Sequence, residues 1–321
     1  MKLLFITANR IGDAVLSTGI LGSLVEQNPS AEVTVAIGPA AASLFRAVPG
    51  VKHIIVVKKL SLGLHWAKLW RATVGTHWDV IVDLRRSAIS WTLSASKRYV
   101  IPKPAEEMHR VILLAATIGA EDHPPTPRLW TNDSDELAAA QLIPDGAAVL
   151  ALAPTANWRG KQWDCANFAR LAERLTVKDG ILPGARIAVL AAAQERAQTR
   201  LLVESFPKER IIDLVGQVDL TKIAACLKRC QFFIGNDSGL SHMASAAGIP
   251  TLSLFGPSRP EFYAPWGPNA AWVQTVENYD ELISAPNYDH RTTGSLMNSL
   301  TVDTTEEAAR ALWHRTQAAT A

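Results

Sequence analysis

Short apolar runs alternate with helical patterns along almost all of this 321-residue chain, and that alternation limits the fold more than any other feature. Strands are expected at 2–7, 32–37, 53–57, 80–83 and 98–101, with helices at 13–27, 40–47, 62–74, 87–94 and 106–118. The second half repeats the scheme. Its strands are expected at 147–153, 186–191, 211–213, 231–234 and 251–255, and its helices at 165–176, 194–204, 220–228 and 240–247. Strand–helix alternation of this kind gives parallel sheets covered on both faces. The pattern breaks at 121–135, "EDHPPTPRLWTNDSD", and a short helix at 136–142 precedes "IPDG". The expected class is α/β, with two Rossmann-like domains, 1–145 and 146–321, whose parallel sheets face a cleft. A tail helix at 304–319 has no strand after it and is expected to pack back on the first domain.

Composition narrows the partners. The formal net charge is only +2, and no dense Lys/Arg run marks a nucleic-acid footprint. Cys165, Cys226 and Cys230 form no metal-binding spacing, so they read as buried thiols in a reducing compartment. The apolar stretch at the start, Leu3 to Ile6, is too short for a leader and reads as a strand. No run of about 18 apolar residues is present to span a membrane. A cytoplasmic protein is expected.

Ligands of doubly wound sheets bind beyond the carboxyl ends of the strands, which singles out three loops. The first, "TANRIGDAVLSTGIL" at 7–21, places Arg10, Gly12 and Asp13 at the mouth of a helix. Asp13 reads either as a plain helix cap or as a carboxylate that takes a proton from a hydroxyl. The second, "APTANWRGKQWD" at 153–164, offers Thr155 and Asn157 as hydrogen-bonding groups and Arg159 and Lys161 as positive charge. The third, "GNDSGLSH" at 235–242, places Asn236, Asp237, Ser238, Gly239 and His242 around a helix start. Either Asp237 or Ser238 caps that helix, or its free amides bind an anion. Glu195, after "LAAAQ", reads as a ribose ligand or as an ordinary first-turn acid.

"RIGDAVLSTGIL", "PTANWRGKQW" and "GNDSGLSHMASAAGIPTLSLFGPS" together resemble glycosyltransferase family 9, the lipopolysaccharide heptosyltransferase family. The resemblance spans nearly the whole chain and is most specific in the late motif. It implies a GT-B fold and inverting transfer of a sugar, typically heptose from ADP-heptose, to the inner core of lipopolysaccharide. It implies no cofactor and no catalytic metal. By resemblance Asp13 is the base and Lys161 neutralises the diphosphate. Thr155, Asn157, Glu195, Asn236, Asp237, Ser238, Gly239 and His242 then form the donor site, and Arg10 and Gly12 lie on the acceptor side. A glycolipid acceptor would require peripheral contact with the inner membrane, through residues such as Lys58, Lys59, Trp66, Lys68 and Trp70. Two other functions suit the architecture. A nucleotide-sugar epimerase or hydrolase needs a second acid/base carboxylate, and none stands out. A non-catalytic nucleotide-sugar-binding homologue has no need of Asp13.

Overall fold

The computed structural model describes residues 1–104, 107–284, 288–289 and 292–319. Glu106, where the fifth helix was expected to begin, lies outside the described residues. The chain divides into two compact units, Met1–Asn132 and Asp133–Ala321.

Unit 1 contains β1 (Lys2–Ile6), α1 (Ile11–Gln27), β2 (Glu32–Ile37), β3 (Val51–Val56) and α2 (Leu64–Thr73). It continues with β4 (Trp78–Asp83), α3 (Ile89–Thr92), β5 (Ala95–Val100) and α4 (Arg110–Ala115). Its five strands are all parallel, in the order β3-β2-β1-β4-β5. Leu3 to Ile6 are completely buried, as expected of a central strand covered on both faces. Leu69 of α2, Ile89 of α3 and Leu93 just after it pack together with Leu4, Ile6, Trp78 and Ile81. The stretch expected as a helix at 40–47 forms a 3-10 turn at Pro39–Phe45. The helix expected at 87–94 shrinks to the single turn of α3.

Unit 2 begins with α5 (Asp133–Leu142), β6 (Val149–Ala153), α6 (Cys165–Thr176), β7 (Arg186–Val189), α7 (Arg196–Glu204) and β8 (Ile211–Asp213). There follow α8 (Leu220–Lys228), β9 (Phe232–Asn236), α9 (Gly239–Ala246), β10 (Thr251–Phe255) and α10 (Pro260–Tyr263). The unit ends with β11 (Ala270–Gln274), α11 (Tyr279–Ile283) and α12 (Val302–Ala318). Six parallel strands run β11-β10-β9-β6-β7-β8. The chain winds outward from β6 to β8, then returns to β9 and winds the other way. The switch point is therefore between β6 and β9, the strands that carry the second and third loops.

Two boundaries differ from expectation. The units divide at Asn132/Asp133, ahead of 145/146, because α5 belongs to unit 2. Ala139 of α5 is buried, Thr221 donates to Asp135 at 3.3 Å, Lys228 pairs with Glu136 at 2.9 Å, and Arg229 donates to the Ile143 carbonyl at 2.6 Å. The tail helix, expected on the first domain, packs instead within unit 2. Ala309 and Leu312 of α12 join the core of β6, β7, β9, β10 and α6, and Trp313 lies against Phe232 with ring centroids 6.1 Å apart.

A candidate nucleotide-sugar site at the switch point of unit 2

The third loop does not carry the side-chain cap that one reading of the sequence expected. Ser238 occupies the N-cap position of α9 in extended conformation, yet no side chain caps the helix. The Ser238 hydroxyl is buried and makes no hydrogen bond among the described residues. Asp237, the other candidate cap, is turned away: its Oδ2 accepts from Lys161 Nζ at 2.5 Å. Both partners are mostly buried. The first amides of α9 are thus left uncapped by side chains, and an uncapped helix start is an anion-binding feature. His242 is buried on the same helix, one turn further on.

Lys161 comes from a 3-10 turn, Arg159–Lys161, in the loop after β6. An ammonium carries three donors. Asp237 takes one, and no other partner of Lys161 exists among the described residues. The loop is fixed by many bonds. Gln162 Nε2 donates to the Ala156 carbonyl at 2.7 Å. The Gly160 carbonyl accepts from the Leu296 amide at 2.9 Å, and the Gln162 carbonyl from Ser295 Oγ at 2.7 Å. Trp163 is buried and donates Nε1 to the Leu300 carbonyl at 2.8 Å.

Asn236 braces the two switch-point loops. It is completely buried; Nδ2 donates to the Pro154 carbonyl at 2.7 Å, and Oδ1 accepts from the Trp163 amide at 3.1 Å. Both ends of its amide therefore serve the protein rather than a ligand. Gly235 also serves packing. A Cβ there would lie 2.7 Å from the Phe233 ring and 2.9 Å from Ala153 Cβ.

One strand further along the sheet, Thr155 and Glu195 meet. Thr155 Oγ1 donates to Glu195 Oε2 at 2.9 Å, and the same oxygen accepts from the Ala192 amide at 2.8 Å. The carboxylate keeps Oε1 for another donor. Asn157 is not drawn into this group: it is exposed and makes no side-chain hydrogen bond among the described residues. Ser258, beyond β10, was not singled out by the sequence. Its hydroxyl is buried at the same carboxyl edge and lacks a partner among the described residues; only the closing "GPS" turn hinted at it.

Unit 1 places the first loop separately. α1 begins at Ile11 with Arg10 as N-cap, so Asp13 is the third helical residue and not a cap. Gly12 lies between them, and Arg10 is exposed. Asp13 Oδ1 faces Arg110 Nε at 3.7 Å, with both side chains about four-fifths buried. Arg110 carries no sequence signal toward Asp13, since nearly a hundred residues separate them. The three cysteines are free. Burial pushes the Cys165 and Cys226 thiols up to about 11, and the Cys230 thiol higher still. Among the described residues no cluster of His, Cys, Asp and Glu could hold a metal ion.

A family model for glycosyltransferase family 9 (heptosyltransferase) matches residues 66–285, well over half of the chain. The chain belongs to glycosyltransferase family 9. Among curated proteins, the lipooligosaccharide heptosyltransferase 2 of Haemophilus influenzae is 29% identical over 152 residues, 46% of this chain and 41% of that protein. The chain matches between about a third and two fifths of the length of the first such relatives. Solved structures cover more. A glycosyl transferase family 9 protein from Veillonella parvula has a TM-score of 0.77 at 19% identity, covering 98% of this chain and 97% of its own. The E. coli ADP-heptose lps heptosyltransferase II has a TM-score of 0.75 at 19% identity, covering 99% and 100%. The fold of this family member is GT-B, built of two parallel-sheet α/β units.

Proposed function

We propose that this family 9 member transfers a heptose from ADP-heptose to a lipopolysaccharide core acceptor, with inversion and without a catalytic metal. The observation that supports it most is the pairing at the switch point of unit 2: an uncapped α9 start beside a Lys161 ammonium with donors to spare. Family membership and the ADP-heptose enzyme among the structural neighbours supply the sugar and the nucleotide.

The diphosphate lies against the α9 amides, the Ser238 hydroxyl and Lys161. Asp237 holds Lys161 in place and offsets its charge until the ligand arrives. Glu195, steadied by Thr155 and the Ala192 amide, accepts from a ribose hydroxyl. The acceptor hydroxyl oxygen attacks the anomeric carbon and gives its proton to Asp13. The bond from that carbon to the diphosphate oxygen breaks, and the electron pair leaves on ADP. Attack opposite the leaving group inverts the configuration. Negative charge grows on the leaving oxygens, where preorganised donors stabilise the transition state most. The guanidinium of Arg110, 3.7 Å from Oδ1, orients the Asp13 carboxylate for that proton transfer.

The test has two parts. ADP-heptose at 100 times its dissociation constant stabilises the folded protein by about 2.7 kcal/mol, and UDP-sugars do not. With a core acceptor, ADP is then released in proportion to transferred heptose. ADP-heptose that neither shifts the melting temperature nor yields ADP overturns the proposal. Stabilisation without turnover leaves the non-catalytic homologue, and turnover without an acceptor leaves the hydrolase.

A further inference from the structure

Unit 1 has a surface that the chemistry above does not use. Leu62 is 98% exposed, Leu64 53%, Trp70 42% and Val74 38%. Leu64 and Trp70 belong to α2, Leu62 to the turn that leads into it, and Val74 caps its C-terminal end. Within α2, Leu69 and Thr73 are buried and Trp66 packs on the core, so one stripe faces inward. Trp70 and Val74, one turn apart, form an adjacent stripe left in solvent. Arg71 lies beside that stripe, and the exposed Lys68 lies further round the helix. Leu62 holds its position through a backbone conformation that costs energy: its φ is 51°, the left-handed region a leucine rarely adopts, and Gly63 follows at 72°. That strained turn presents a bare leucine to solvent.

Charge gathers at the same place. No Asp or Glu occurs between Glu32 and Asp79, whereas Lys52, Lys58, Lys59, Lys68 and Arg71 all do. All five are exposed, and among the described residues none forms an ion pair. Unit 1 carries fifteen Lys and Arg against nine Asp and Glu, while unit 2 carries seventeen against twenty-one. A near-neutral chain thus hides two oppositely charged halves. α2 spans only ten residues, and no helix among the described residues is long and apolar enough to cross a membrane. Exposed Trp and Leu beside unpaired cations on a short amphipathic helix suit the headgroup boundary of an anionic bilayer.

We infer that the Leu62–Val74 segment is an interfacial docking surface for an anionic lipid bilayer: Leu62, Leu64, Trp70 and Val74 enter the headgroup region while Lys58, Lys59, Lys68 and Arg71 engage lipid phosphates. The surface is carried by unit 1 alone and does not depend on the reading of the unit 2 site.

The test is co-sedimentation of the full chain with extruded vesicles, either phosphatidylethanolamine with a quarter phosphatidylglycerol or phosphatidylcholine alone. Binding is expected to the anionic vesicles, to fall as salt screens the cations, and to be weak on phosphatidylcholine. Removing each basic residue weakens it about fivefold, so Lys68→Gln/Arg71→Gln loses about 25-fold. Leu62→Ser/Trp70→Ser abolishes binding that survives salt. All these positions are exposed, and unchanged melting temperatures certify the variants. A variant that melts early is replaced by Lys58→Gln/Lys59→Gln, which lies outside α2. Failure of the native chain to sediment, equal binding to phosphatidylcholine, or binding indifferent to every substitution overturns the inference. So does a concentration-dependent dimer, seen by light scattering, that Trp70→Ser dissolves without any vesicle binding. None of these outcomes bears on ADP-heptose stabilisation, which separates the two proposals.

Discussion

Asp13 and Lys161 act on different substrates in the proposed reaction, and single substitutions distinguish them. Asp13→Asn keeps shape and polarity but loses the base. It should lower kcat by about 10²–10⁴-fold while stabilisation by ADP-heptose persists, which paired rate and melting measurements on one preparation read directly. Lys161→Ala should weaken stabilisation by ADP itself and lower turnover by about 10²–10³-fold; an unaltered response to ADP removes Lys161 from the site. The sequence singled out both positions because each lies in a loop beyond a strand's carboxyl end, where ligands of doubly wound sheets bind. It did not distinguish Asn236 from its neighbours. Asn236 looked like a ligand contact, and the structure shows an internal brace, because its partners at Pro154 and Trp163 are some eighty residues away in the chain. Asn236→Leu should therefore cost stability, about 1–3 kcal/mol for each buried group left without a partner. Urea unfolding measures it.

At the level of elements, β2, α6, α8, β8 and β10 have the limits expected from periodicity alone. Each is framed by a strong apolar pattern or a clear cap, such as Asp164 before α6 and Asp219 before α8. The edge strand β11 was not anticipated. It is short, half-exposed along its length and follows a Pro- and Gly-rich turn, so its identity comes from pairing with β10 rather than from its own residues. The loop carrying Lys161 was visible as a loop, but its rigidity was not. That rigidity comes from residues 295–300, which periodicity assigns to nothing. β9 must also pass close to β6, so Gly235→Val should overpack the sheet and destabilise by about 1–3 kcal/mol, again seen in urea. On α8, the Cys226 thiol is pushed up to about 11 by burial. The folded state holds that proton more tightly than the unfolded chain, whose thiol titrates near 9. The stabilisation is complete below pH 9 and fades as pH rises toward 11. Cys226→Ala should flatten that part of the stability–pH curve.

Across the whole molecule, βα alternation gave the class and number of units correctly, because a parallel sheet leaves its signature in every strand. The division between units was less legible. The Pro-rich stretch at 121–135 marks the change, but α5 joins unit 2 through Asp135 and Glu136, whose partners Thr221 and Lys228 lie far along the chain. The placement of α12 in the core of unit 2 also governs how the protein is made. Every contact of the five-stranded sheet is available once its first 132 residues have left the ribosome. The six-stranded sheet stays open along one side until Ala309 and Leu312 emerge, after all six of its strands. Unit 1 thus has time to fold while unit 2 is still being made, whereas unit 2 closes only once α12 has emerged. A nascent chain arrested before residue 302 should yield a protease-resistant fragment of the first half and nothing stable from the second.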